Sequence, residues 1–351
     1  VAKVLMKGCE AIGEAAIRAG CRNFFGYPIT PQTEVPEYLA KRFPEVGGVY
    51  IQAESEVASI NMLYGGAGTG KRVLTSSSSP GISLMAEGVS YIAASHLPVV
   101  MVNIVRAGPG LGGILPAQSD YLQATKGLGH GDYRLVVLAP SSVQEAVDLM
   151  YQAFDLADKY LTPVMVMGDG MIGQMMEPVE MPEMRDLDDL PAKEWAVTGA
   201  RGRKPNIVNS LYLSEVACNE NNWKLKKKYD EIIKTEKRWE TYDCDDDMDL
   251  LIVAYGTMAR ICKTAADELA GENLKLGVFR PITLWPYPYE ALEQTAAKAN
   301  RILVVEMSTG QMVEDVQLAM LGKKQIDFYG LTGGMVPSPD DVADQVRKLL
   351  K

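Results

Sequence analysis

Histidine is scarce in this 351-residue chain, and its cysteines are never paired in a short motif. Only His96 and His130 occur, which excludes a site built from several imidazoles. Cys9, Cys21, Cys218, Cys244 and Cys262 are scattered, and no two form a Cys-x-x-Cys. An iron-sulfur cluster or a structural zinc held by this chain alone is therefore not expected, and the odd, widely spaced set suits a reducing compartment. Basic residues are outnumbered: 35 Lys and Arg against 45 Asp and Glu give a formal charge of -10. That balance is poor for neutralising a nucleic-acid backbone. No apolar stretch reaches the roughly 18 residues that span a bilayer, and no signal-peptide pattern opens the sequence. The expectation is a cytoplasmic protein that binds neither nucleic acid nor membrane. Aromatic residues are only 7%, but hydrophobic residues reach 47% and glycine is abundant, which suits an α/β protein with tight turns.

The length suits two or three domains. Helices are expected at 6–20, 56–66, 82–94 and 141–158, with strands at 24–26, 48–52, 73–75, 98–105 and 163–167. The run Pro98-Val-Val-Met-Val-Asn-Ile-Val105 is continuously apolar save one residue, which marks a strand buried on both faces. Strands separated by helices predict an open, mostly parallel sheet with helices on both sides. This first domain is assigned to 1–190. A proline- and acid-rich stretch at 182–193 opens a linker, 191–248, that carries a charged helix. In the run Trp223 to Trp239 the positions Leu225, Tyr229, Ile232, Ile233, Glu236 and Trp239 predict one buried stripe, its lysines a solvated face. Residues 249–351 read as a second, smaller α/β domain.

Chemistry is sought where strands end, because an open parallel sheet binds ligands beyond the carboxyl ends of its strands. The most constrained of these ends is Gly26-Tyr-Pro-Ile-Thr-Pro31, a strand stopped by two prolines that stiffen an extended loop around one hydroxyl, Thr30. Taken alone, the loop fits equally a rigid lead into the helix at 32–41, with Thr33 as N-cap. Glu56 opens a helix, where an isolated acid is commonly there only for the helix dipole. Thr75-Ser-Ser-Ser-Ser79 is either an N-cap turn or an anion-facing loop. Arg106 ends a strand and precedes four glycines within 107–113, a form that suits a carboxylate held bidentately or, equally, a salt bridge to a neighbouring domain.

Other patterns lead elsewhere. Gly65-Gly-Ala-Gly-Thr-Gly-Lys71 approaches a phosphate loop, but Arg72 replaces the hydroxyl and a helix precedes the glycines, so a helix-to-strand turn is expected. His130-Gly-Asp132 has no serine or cysteine motif beside it and reads as a hydrogen-bonded loop. Gly168-Asp-Gly170 has half of a magnesium-diphosphate motif, since no asparagine follows before Asn206.

Taken together, Gly26-Tyr-Pro-Ile-Thr-Pro31, Glu54-Ser-Glu56, Thr75-Ser-Ser-Ser-Ser-Pro-Gly81, Arg106-Ala-Gly-Pro109, Pro116-Ala-Gln-Ser-Asp120 and Glu306-Met-Ser-Thr-Gly-Gln311 resemble the alpha-type, pyrimidine-domain subunit of the 2-oxoacid:ferredoxin oxidoreductases. The resemblance runs in order along nearly the whole chain. Within the family, the loop after Arg106 and Gly129-His-Gly-Asp-Tyr133 are closer to members that act on 3-methyl-2-oxobutanoate than to those that act on 2-oxoglutarate. The resemblance implies a pyrimidine-type thiamine diphosphate domain followed by a transketolase C-terminal-like domain. It implies oxidative decarboxylation of a small 2-oxoacid to an acyl-coenzyme A with reduction of ferredoxin. Glu56 would bond the aminopyrimidine ring, with Pro28, Ile29, Thr75 and Ser76 beside the cofactor, and Thr30 and Arg106 would hold the 2-oxoacid. Magnesium and the clusters would reside in partner subunits, a beta-type subunit and small gamma- and delta-type subunits, with no metal bound by this chain. The same reaction on 2-oxoglutarate or pyruvate, or a non-catalytic structural subunit, are the alternatives.

Overall fold

The computed structural model describes residues 3–245 and 247–351. The chain starts with β1 (Val4–Lys7), α1 (Gly8–Arg18), β2 (Asn23–Gly26), α2 (Glu34–Arg42) and β3 (Val49–Gln52). It continues through α3 (Glu56–Gly68), β4 (Val73–Ser77), α4 (Pro80–Ala94) and β5 (Val99–Val105). Then come β6 (Val136–Leu138), α5 (Val143–Tyr160), β7 (Pro163–Asp169), α6 (Gly170–Gln174) and β8 (Met176–Val179). After a long irregular stretch follow α7 (Glu215–Thr235), β9 (Trp239–Tyr242), β10 (Leu250–Val253), α8 (Gly256–Ala270), β11 (Leu276–Pro281) and β12 (Thr283–Trp285). The remaining elements are α9 (Tyr289–Ala296), β13 (Ile302–Glu306), α10 (Met312–Met320), β14 (Ile326–Gly330) and α11 (Pro339–Leu350).

The larger sheet has the order β12-β6-β7-β5-β4-β2-β3. Its strands from β6 to β3 are parallel, and only β12 runs against its neighbour. Every residue of β4, β5, β6 and β7 is buried, as strands covered on both faces require. One helical layer packs α1 against both α2 and α5, and another packs α3 against α4. Small residues make the first layer possible: Ala11, Ala15 and Ala16 of α1 are fully buried, so the helix lies close to its neighbours. The smaller sheet, β14-β13-β10-β11-β9, is parallel except for β9. The glycine-rich stretch ends as expected, with α3 running through Gly68 and turning at Gly70 into β4.

Several expectations are corrected. Residues 6 and 7 belong to β1, which forms a two-stranded antiparallel ribbon with β8. The charged helix starts at Glu215, eight residues before the stripe was drawn, and ends at Thr235, so the 3.6-residue period does not extend to Trp239. Leu225, Tyr229, Ile232 and Glu236 are buried, whereas Ile233 and Trp239 are exposed. Trp239 instead opens β9, which pairs with β11, and β12 leaves the smaller sheet to pair with β6. No helix among the described residues is long and apolar enough to cross a membrane.

Helix α7 packs on α4 through a polar contact with a half-buried amine. Lys228 donates to the Leu161 carbonyl at 2.7 Å and lies 3.1 Å from His96 Nδ1, while His96 Nε2 faces Asn221 Oδ1 at 2.9 Å. Burial lowers the Lys228 pKa to about 7. The folded chain therefore favours the neutral amine, and stability is lost as pH falls from the ordinary lysine range toward 7. Lys228→Met is expected to raise the melting temperature relative to the parent more at pH 6 than at pH 9. A difference independent of pH would show that this amine is not the group being neutralised.

A candidate active site at the carboxyl edge of the larger sheet

Strand order reverses at β2: the chain passes to β3 on one side and returns to β4 on the other. Loops leaving β2 and β4 therefore diverge above the sheet and leave a crevice between them, the usual ligand position in this architecture. The proline loop fills one side. Thr30 is exposed at its tip, and Pro28 and Ile29 are half-buried. The loop is fixed from within by Gln32, which is fully buried. Its amide donates to the Tyr27 carbonyl at 3.3 Å and its oxygen accepts from Ser76 Oγ at 2.5 Å.

Glu56 reaches the crevice from the first turn of α3. Ser55 caps that helix by accepting from the Ala58 N–H at 3.2 Å, which sets where the helix begins and so where Glu56 stands. The Glu56 side chain is buried, and its carboxylate has no ion-pair or hydrogen-bond partner among the described residues. It lies against the start of α4, where a Cβ on Gly81 would fall 2.7 Å from Glu56 Oε1 and 2.0 Å from Ser77 Oγ. Strand periodicity turns Thr75 and Ser77 to one face and Ser76 to the other, toward Gln32. The hydroxyls of Thr75, Ser77 and Ser78 are buried without partners. Leaving such a group unsatisfied costs about 1–3 kcal/mol each, so three of them beside an unpaired carboxylate fit a site built for a polar ring.

Arg106 closes the other side from the end of β5. Its guanidinium is buried, donating to the Thr30 carbonyl at 3.0 Å and the Leu111 carbonyl at 3.1 Å, with Nε unpartnered. No carboxylate pairs with it among the described residues, so a buried cation remains available to an anion. Thr30 and Arg106 are thus joined directly, and Glu56 shares its helix-end contact with β4 instead. Behind them is a network that links the hydroxyl run and the Gln118-Ser-Asp120 stretch through Asn103, a residue the sequence patterns did not single out. Ser79 sits at φ 26°, a strained conformation worth about 1–3 kcal/mol for a residue other than glycine. Its Oγ donates to Asp120 Oδ2 at 2.7 Å and accepts from the Arg106 N–H at 3.1 Å. Asn103 completes the network, donating to the same Asp120 oxygen at 2.9 Å. Burial raises the Asp120 pKa, against the hydrogen bonds from Asn103 and Ser79. An asparagine inside an otherwise apolar strand was the available signal.

A cavity of about 730 Å³ opens beside Thr30. Ile114, Leu115, Met171 and Met175 give it an apolar wall, and Glu34 and Glu37 also line it, with no lysine or arginine. Asp169 of Gly168-Asp-Gly170 is occupied otherwise: its Oδ1 accepts from the N–H groups of Met171 and Ile172 at 2.8 and 3.2 Å and caps α6. His130 and Asp132 are exposed, and the His130 carbonyl accepts from Ser90 in the second half of α4, outside the crevice. The smaller sheet is keyed to the edge by Gln118. Its N–H and side-chain oxygen exchange bonds with Met307 at 2.9 and 3.0 Å, and its amide donates to the Tyr255 carbonyl at 2.9 Å.

This combination, a parallel sheet with an unpaired glutamate and bare hydroxyls near its reversal point, defines a ligand-binding protein of the doubly wound α/β class. Residues 14–239 match the thiamine diphosphate-binding family described as pyruvate flavodoxin/ferredoxin oxidoreductase, and residues 248–342 match pyruvate:ferredoxin oxidoreductase core domain II. The chain belongs to this family, as an alpha-type subunit of a 2-oxoacid:ferredoxin oxidoreductase. It is 44% identical to the ketoisovalerate oxidoreductase subunit VorB of Methanothermobacter marburgensis, covering 99% of this chain and 98% of that one. A solved 2-oxoglutarate:ferredoxin oxidoreductase from Magnetococcus marinus, with 2-oxoglutarate, coenzyme A and succinyl-CoA bound, superposes with a TM-score of 0.88 at 26% identity. The match covers 99% of this chain but 65% of that one, so the chain spans less than two thirds of that solved relative. A split-gene transketolase in an inactive tetramer shares the fold, at a TM-score of 0.58 and 15% identity, over 98% of both chains.

The close approach at Gly81 yields a direct test. Gly81→Ala is expected to displace the Glu56 carboxylate and lower dye-reduction turnover at least tenfold, with the subunit still folded by circular dichroism. Full activity would mean that the crevice tolerates the added methyl and that Glu56 is not held there tightly.

Proposed function

We propose that this chain is the pyrimidine-side subunit of an enzyme that oxidatively decarboxylates branched 2-oxoacids, 3-methyl-2-oxobutanoate foremost, to acyl-coenzyme A while reducing ferredoxin. The observation that carries the reading is that Glu56, the bare hydroxyls of β4 and the buried Arg106, which has no carboxylate partner among the described residues, all stand at the carboxyl edge of one parallel sheet. When bound, thiamine diphosphate supplies a nucleophilic carbon for the keto group and a sink for the electrons that decarboxylation leaves behind. Glu56 holds a proton-bearing nitrogen of the aminopyrimidine ring, with Pro28, Ile29 and Thr75 lining that ring and Ser76 supporting it through Gln32. Arg106 takes the substrate carboxylate, and Thr30 positions the keto oxygen. Residues 1–190 carry this chemistry, the linker 191–248 joins the units, and residues 249–351 support the joint. A beta-type partner provides the diphosphate and magnesium site, and partner subunits, the small gamma- and delta-type ones included, carry the iron-sulfur clusters, in a cytoplasmic complex. The capping role of Asp169 supports that division, because its carboxylate is already committed.

Similarity to the ketoisovalerate subunit supports the branched substrate, and so does the cavity beside Thr30. A dicarboxylate such as 2-oxoglutarate would bring its second charge against apolar walls and toward Glu37, which has no cationic partner among the described residues. An isopropyl group suits those walls.

Coenzyme A-dependent reduction of a viologen dye by the complex should be fastest with 3-methyl-2-oxobutanoate, compared with pyruvate and 2-oxoglutarate at equal concentration. A preference for 2-oxoglutarate would leave the reaction and overturn the substrate. Glu56→Gln is expected to leave assembly intact and lower turnover by about 10²-fold or more, the usual scale for losing a proton-handling group. Unchanged turnover would remove Glu56 from the chemistry.

A further inference from the structure

We propose that Asp120, acting through Ser79 and braced by Asn103, is a positioning residue that sets the Arg106 guanidinium for anion binding. The inference rests on the reading of Arg106 given above and deepens it. Five hydrogen-bond contacts make the network, all of them buried, and the Ser79 hydroxyl has two acceptors within reach, Asp120 and the Arg106 carbonyl, the latter at 3.2 Å. Ser79 Oγ donates to Asp120 Oδ2 at 2.7 Å, and Asn103 Nδ2 donates to the same oxygen at 2.9 Å. The Ser79 N–H donates to Asn103 Oδ1 at 3.2 Å, and the Arg106 N–H donates to Ser79 Oγ at 3.1 Å. The serine hydroxyl has one proton, and the carboxylate takes it, since a charged acceptor gives the stronger and shorter bond. This leaves the serine oxygen free to receive the Arg106 N–H, so the carboxylate dictates which way the hydroxyl is used.

The arrangement has a cost that packing alone does not explain. Asp120 is a buried carboxylate whose named partners are neutral donors, and Ser79 is a non-glycine residue held at φ 26°. Each is unfavourable by itself, and each is held in place by the other. What the pair fixes is the residue at which β5 stops, immediately before the guanidinium bridges the Thr30 and Leu111 carbonyls. The three members come from β5, from the turn between β4 and α4, and from the segment that follows the glycine loop, so the network also ties that loop to the sheet.

The test uses the assembled complex with its cofactor content measured. Ser79→Gly removes the hydroxymethyl group and keeps a backbone suited to positive φ, and Asp120→Asn keeps an acceptor oxygen but removes the charge. With Ser79→Gly, amide hydrogen exchange in peptides covering 104–112 should quicken at least tenfold. The KM for the 2-oxoacid should rise about tenfold with kcat changed less, the scale of one buried hydrogen bond lost. Asp120→Asn should move both in the same direction by less. On an Arg106→Met background neither substitution should raise KM further. Unchanged exchange in both variants overturns the proposal, as do KM effects that add to that of Arg106→Met. An Arg106→Met variant with the parent KM would instead remove the anion-binding role of Arg106, and the exchange measurement would still decide whether the network positions that segment.

Discussion

A guanidinium buried with no carboxylate among the described residues to neutralise it is the constraint around which the carboxyl edge of the larger sheet is arranged. Among the described residues the Arg106 guanidinium is bonded only to main-chain carbonyls, one from the proline loop and one from the glycine loop. Carbonyl dipoles stabilise a cation but do not cancel its charge, so the guanidinium remains available to an anion. The two loops cannot move independently while the guanidinium spans them. The rigidity of the prolines, the turn at Ser79 and the bonds of Gln32 all serve to keep that bridge in one geometry.

The second half of the chain contributes to this edge without entering it. Gln118, a few residues past the glycine loop, is gripped by Met307 and Tyr255. Tyr121, three residues further, donates to Asp315 at 2.5 Å, and Lys126 pairs with the same carboxylate. Arg280 reaches back from β11 to both oxygens of Glu145 at 2.8 Å, a fork-to-fork pairing with strict geometry. The segment carrying Asp120 is therefore clamped from the side opposite the crevice. The smaller sheet is a brace whose position is transmitted to the site through a stretch of about ten residues.

How much of this could be read from the residues follows from the range of each interaction. The strand ends at Gly26 and Val105 were legible because buried parallel strands are short apolar runs punctuated by proline and glycine, all local signals, whereas β4 runs on to Ser77, past the expected 73–75, because its last hydroxyls are buried like the rest of the strand. Thr30, Glu56 and Arg106 were found by position on those ends, and the structure joins Thr30 to Arg106 directly. Ser79, Asn103 and Asp120 lie far apart in sequence and have meaning only as a set, which no local pattern displays. The stripe drawn to Trp239 failed because a helical period says nothing about where the helix stops. β12 was missed because a three-residue strand has too few positions to show alternation. α11 left a usable signal, a serine cap before proline and two acids, with Val342, Ala343 and Val346 on its buried face.

The migration of β12 has a consequence for how the protein is made. A ribosome delivers five of the six strand pairs of the larger sheet by residue 169, yet β6 cannot receive its remaining neighbour until Thr283–Trp285 has emerged. Between those moments β6 is a bare, wholly apolar edge, the kind of template that recruits foreign strands. The nascent chain thus carries an unpaired sheet margin through more than a hundred residues of synthesis, from the end of β7 to the start of β12.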